Sequence, residues 1–189
     1  MMKNPYLESW LQSAAAVSRD FSEAFGTLTE SQLNWKPDEK RWSIAQCIEH
    51  LIHTNELYLV SIQQLAEGTY RPTLWERISP FSSLWTRLFR YSMQEKARTR
   101  VPAPAAFRPH LSAIDPGVIP DLVHQQAVLM QAVRNTDHLS HQRTTLASPV
   151  TGWVTFRLNG LIQMLLSHEK RHFHQAQAVK EQMLAAGVE

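Results

Sequence analysis

Apolar residues recur at helical spacing through four long stretches of this 189-residue chain, whereas strand-like alternation is scarce and only six glycines interrupt the pattern. The first stretch predicts a helix over about 4–26, with Leu7, Leu11, Ala14, Ser18, Phe21 and Phe25 on one stripe and Gly26 as its stop. A second begins at Ser43, an N-cap whose partner Gln46 completes a capping box, and runs to about Glu67 before Gly68. Its stripe is Ile44, Ile48, Leu51, Asn55, Tyr58, Ile62 and Leu65. The third starts near Pro120-Asp121, carries Leu122, Leu129 and Val133, and ends around Ser140. The last spans about 155–186 and stops at Gly187. Such stripes are buried most simply against one another, which predicts an all-α fold, a four-helix bundle with a long connection between the second and third helices.

That connection is the irregular part of what is expected to be a single domain over residues 1–189. Residues 71–116 read as a basic, proline-rich insertion. Pro80 can start an extra helix through about Thr99, with Leu84, Leu88 and Tyr91 or Met93 facing inward. Pro102, Pro104, Pro109 and Pro116 then force extended chain. Between 71 and 108 lie Arg71, Arg77, Arg87, Arg90, Lys96, Arg98, Arg100 and Arg108 against Glu76 and Glu95, so this stretch is +6 and the remainder −4. Trp75, Phe81, Trp85, Phe89 and Tyr91 interleave. Such a segment suits either an insertion packed on the bundle, a dimer contact, or association with nucleic acid or a membrane surface.

Composition narrows the function classes. A net charge of +2 is too small to mark a nucleic-acid or membrane binder by itself. One cysteine, Cys47, excludes an internal disulfide framework, and burial as a small apolar residue suits it better than a nucleophile's role. No stretch approaches the roughly 20 apolar residues that span a bilayer, and the N-terminus lacks the apolar run of a signal peptide. The expected location is cytoplasmic.

Nine histidines are many for this length. Two of them, His168 and His172, stand one helical turn apart in a stripe otherwise made of Leu161, Leu165, Gln175 or Ala176, Val179 and Met183. Their side chains converge on the face the helix should bury, where an unpaired polar group is costly. Two imidazoles so placed suit one first-row divalent metal ion, and a zinc site needs at least a third ligand. His50 is the best candidate and His53, nearly a turn later, its competitor; periodicity places His50 only at the flank of its stripe. His174 lies about 200° round the helix from His172, outside any shared site. Glu49, Asn55, Glu169 and Gln175 are candidates to hold the other ring nitrogens. His168-Glu169-x-x-His172 also fits the zincin motif, which would make Glu169 a general base. His110, His124, His138 and His141 read as loop or solvent-facing, and Trp35, Trp42 and Trp153 as covers for the ends of the core.

The ordered pieces Trp42-Ser43-Ile44 to Glu49-His50-Leu51, Pro149-x-x-Gly152, and His168-x-x-x-His172-x-x-Gln175 resemble the DinB/YfiT-like superfamily of helical bundles, over roughly residues 35–180. The resemblance implies a divalent metal, nickel or zinc, bound by His50, His168 and His172. It further implies a metal-dependent hydrolase, or a transferase using a low-molecular-weight thiol. Thiol S-transferases that use bacillithiol and a mycothiol-dependent isomerase are among such proteins, and homodimers are common.

Overall fold

Helix geometry dominates because the stripes are buried in pairs. The computed structural model describes residues 2–79, 81–82, 84, 86–87, 108–109 and 113–188. In chain order these form α1 (Tyr6–Phe25), α2 (Glu30–Asn34), α3 (Ile44–Glu67), α4 (Leu74–Ile78), α5 (Val118–Asn135), a 3-10 turn (Thr136–His138), β1 (Thr145–Ala147), β2 (Thr155–Arg157) and α6 (Leu158–Ala185). The four long helices make the expected bundle: α1 and α3 each pack against both α5 and α6.

Local chemistry sets the ends. Ser43 accepts the Gln46 backbone N–H at 3.1 Å, and the Gln46 side chain accepts that of Ser43 at 3.2 Å, so the foreseen capping box starts α3 two turns before His50. Gly68 ends the helix at φ +71°, a left-handed conformation that disfavours any residue with a Cβ. Removing the cap by Ser43→Ala should destabilise the protein by about 1 kcal/mol, lowering its melting temperature by roughly 2–4 °C; thermal unfolding followed by circular dichroism measures this.

Three boundaries differ from expectation. Helix α5 starts two residues before Pro120, because a proline in the first turn gives up an N–H that has no partner there anyway. It ends at Asn135, where the 3-10 turn takes over and the Asp137 carboxylate accepts the backbone N–H groups of Lys3 and Asn4, both at 2.9 Å. Helix α6 starts at Leu158, because 155–157 pair antiparallel with 145–147, Leu146 opposite Phe156.

In the expected helix from Pro80 to Thr99, Ser82, Leu84, Thr86 and Arg87 are helical, and Leu84, expected to face inward, is 51% exposed. Leu88, Tyr91 and Met93 fall outside the described residues. The short α4 before it has its polarity inverted. Leu74 and Ile78 are 77% and 71% exposed, while Glu76 is buried and accepts from Tyr70 Oη, Thr73 N (2.7 Å) and Ala147 N (2.8 Å). These bonds anchor α4 to the hairpin and turn its apolar side chains outward. Trp153, expected to cover the core, is 59% exposed, and its carbonyl accepts from Trp75 Nε1.

The core divides into two apolar clusters along the bundle axis. One gathers Leu7, Trp10, Tyr58, Ile62, Leu129, Phe156 and Leu161 at the hairpin end. The other gathers Phe21, Phe25, Ile44, Ile48, Leu51, Leu122 and Val179 at the opposite end. Between them, in sequence on three of the four long helices, lies a buried polar level: Thr54 and Asn55 on α3, Gln125 and Gln126 on α5, His168, Glu169 and His172 on α6. No helix among the described residues is long and apolar enough to cross a membrane.

Candidate metal centre

At this polar level, beside the cluster built by α3's first turns, three imidazoles meet. His50 comes from the second turn of α3, His168 and His172 from successive turns of α6, and their exposures are only 5%, 6% and 7%. His168 Nε2 lies 3.1 Å from the Nε2 atoms of both His50 and His172. All three ligand atoms are within 4.8 Å of one another, and no other His, Cys, Asp or Glu of the described residues joins the group. His53 and His174 are thus outside it, as is Cys47, fully buried with its thiol pushed up to about 12 by that burial.

The donor set fits a metal ion. Two nitrogens about 2.1 Å from a common zinc-like ion, at angles of 90–110°, sit ~3.0–3.4 Å apart, which brackets the separation found here. Without an ion the arrangement is poorly satisfied, since His168 Nε2 carries at most one hydrogen and faces two nitrogens. His168 Nδ1 is also buried without a hydrogen-bond partner. Burial holds His168 well below the ordinary imidazole pKa, with His172, His50 and Arg171 acting in the same direction. Burial likewise pushes His172 down to about 3, aided by His50 and Arg171 and opposed by Gln175. Both rings are therefore neutral at physiological pH, the form that ligates metal.

Trp42 forms the wall. Its ring lies 4.9 Å from that of His50 and stacks on His172 at 5.8 Å and 18°. It lines the site as well as closing the core, and periodicity gives no hint of this.

Glu169 turns away from the role of base. Its residue is 2% exposed, and its two carboxylate oxygens are taken by Asn55 Nδ2 at 2.9 Å and Gln126 Nε2 at 3.0 Å. A zincin glutamate has to reach a reacting water; this one is built into the interior between three helices. Burial raises its pKa to about 7, with the two amides opposing that rise. Of the groups expected behind the ligands, Asn55 bonds to Glu169 and Gln175 acts on His172, while Glu49 lines an outer groove of about 530 Å³ between α3 and α5 with His53, Glu56 and His124. None of the three clustered histidines lines that groove.

Two other histidine expectations need correction or fall outside. His141 is fully buried rather than solvent-facing: Tyr6 Oη meets its Nδ1 at 2.6 Å, and Thr136 meets its Nε2 at 3.0 Å. His110 lies outside the described residues. The role of Gln126 was missed, although its position one turn after Leu122 marks a polar break in the α5 stripe, matching Asn55 in α3.

Comparison with known proteins bears on fold and lineage. The DinB superfamily matches residues 14–176. Among solved structures, YfiT from Bacillus subtilis, described as a probable metal-dependent hydrolase with an unusual four-helix bundle topology, aligns with a TM-score of 0.59 and 16% identity. The alignment covers 95% of this chain and 89% of that one, and at such identity it shows a shared fold. No curated protein matches the chain.

Proposed function

The chain belongs to the DinB superfamily, and we propose that it is a metal-dependent enzyme acting on a small molecule through a centre made by His50, His168 and His172. The observation carrying this reading is the convergence of three buried Nε2 atoms with no fourth protein ligand among the described residues. Structural zinc is usually closed by four protein ligands, whereas catalytic zinc keeps a position for water or substrate. Three neutral imidazoles add no charge of their own to the ion. A divalent ion bound there, nickel or zinc in preference, would supply Lewis-acid chemistry at neutral pH, drawing a proton from water or from a thiol.

The residues of the chain hold, orient and enclose. The capped α3 fixes His50, the spacing on α6 fixes His168 against His172, and Trp42 covers the rings of His50 and His172. Glu169 is not free to move a proton at the reacting atoms, because amide donors occupy both its oxygens. Hydrolysis, or transfer to a low-molecular-weight thiol, is the reaction class this arrangement suits. A test replaces the ion with Co²⁺ and follows its visible spectrum as azide or 2-mercaptoethanol is added. A shift with either supports a centre open to an exogenous ligand, and a spectrum indifferent to both would reduce it to a closed structural one.

A further inference from the structure

Two unbalanced groups lie at the same polar level of this core. The three-imidazole centre would bind a dication without contributing an anion. One residue along α6, the Glu169 carboxylate is buried, and the hydrogen bonds to its two oxygens come from the neutral amides of Asn55 and Gln126. A buried carboxylate with only amide partners is expensive to maintain, and an apolar side chain of similar volume usually serves a core as well or better. The same level leaves the amide oxygens of Asn55 and Gln126 without partners, so these side chains are oriented to give their N–H groups to Glu169 rather than to satisfy themselves.

We propose that Glu169 is the internal counter-charge of the metal centre: it does not coordinate the ion, but its carboxylate, one residue along α6 from His168, offsets the positive charge of a bound ion in the low-dielectric core and sets the affinity of the site. This rests on the three-histidine reading above. Placement favours it over a purely architectural role. Asn55 follows the ligand His50 by five residues and Glu169 directly follows His168, so the carboxylate is clamped between the helices that carry the ligands, with α5 supplying the third side through Gln126. An unpaired Coulombic attraction across such a core is screened far less than at a surface.

The test measures Ni²⁺ and Zn²⁺ affinity by competition with a chromophoric chelator, together with thermal unfolding of the metal-free protein, for wild type, Glu169→Gln and Glu169→Met. Glutamine keeps the shape and most hydrogen-bonding capacity, and methionine keeps the volume. If Glu169 acts through charge, both variants bind each ion about 10- to 100-fold more weakly, while metal-free Glu169→Gln melts no lower than wild type. Should either variant fail to fold, the other still decides the matter. Unchanged affinity in a folded variant would overturn the proposal, as would a metal-free Glu169→Gln protein whose melting drops along with its affinity, since that marks an architectural part. Absence of metal binding by the wild type would instead remove the three-histidine centre on which the proposal stands.

Discussion

Replacing His168 with alanine should strip the protein of its stoichiometric divalent ion. Of the three clustered histidines, His168 is the hub: its Nε2 is the atom placed 3.1 Å from both others. Without it, two imidazoles remain on different helices, a donor set too sparse for a zinc-like site. The effect is large because binding to the folded state alone adds directly to stability. With free ion at 100 times the dissociation constant, that addition is about 2.7 kcal/mol, or roughly 5–11 °C in melting temperature for a chain of this size. Differential scanning calorimetry with and without Ni²⁺ or Zn²⁺ should show this rise for the wild type and none for His168→Ala, each protein compared with its own metal-free state. An equal rise in both would place the ion elsewhere.

Acidifying the metal-free protein should produce the second large effect, in two phases. His172 has a folded pKa of about 3 against 6.5 unfolded, so below pH 6.5 the unfolded chain takes up a proton that the folded chain refuses. Stability from this group is full above 6.5 and falls by about 1.4 kcal/mol per pH unit as the pH drops towards 3. His168, depressed in the same direction, adds to the loss. Glu169 works the other way: its folded pKa of about 7 exceeds the ordinary 4.5, so protonation favours the folded state as the pH falls from 7 to 4.5. The carboxyl group thus offsets about one histidine over that range and no more below it. Urea midpoints measured against pH should decline gently between 6.5 and 4.5 and steeply below 4.5. The steep phase gains further from Glu76 and Asp137, whose hydrogen bonds from neighbouring backbone and side-chain groups hold them below the usual carboxylate range. In His172→Gln the gentle phase should be nearly flat, one histidine now balancing Glu169. A wild-type midpoint that stays level down to pH 3.5 would contradict the burial of neutral imidazoles.

The bundle was legible because its long stripes are strongly periodic and its chief helix start is chemically explicit. Ser43 and Gln46 form the capping box their spacing suggests, and Gly68 ends α3 in the conformation that needs glycine. The hairpin was not, because strands of three residues are too short to show alternation. The five-residue helices α2 and α4 did leave a trace: Thr29 with Gln32 and Thr73 with Glu76 are capping boxes of the same pattern as Ser43 with Gln46. The His168/His172 pair could be read from spacing alone, whereas His50 sits at the edge of its stripe and only the packing of α3 on α6 brings it to them. Glu169 shows the limit of motif reading. The letters of a metalloprotease helix are present, but rotation about the helix axis sends the carboxylate to Asn55 and Gln126.

X-ray absorption at the metal edge of the Ni²⁺- or Zn²⁺-loaded protein tests the three-histidine centre most directly, because it counts imidazoles around the ion. The expected spectrum contains three histidine nitrogens about 2.1 Å from the ion, with the rest of the shell filled by exogenous light atoms. A shell containing sulfur from Cys47, or one or two imidazoles in place of three, would contradict it.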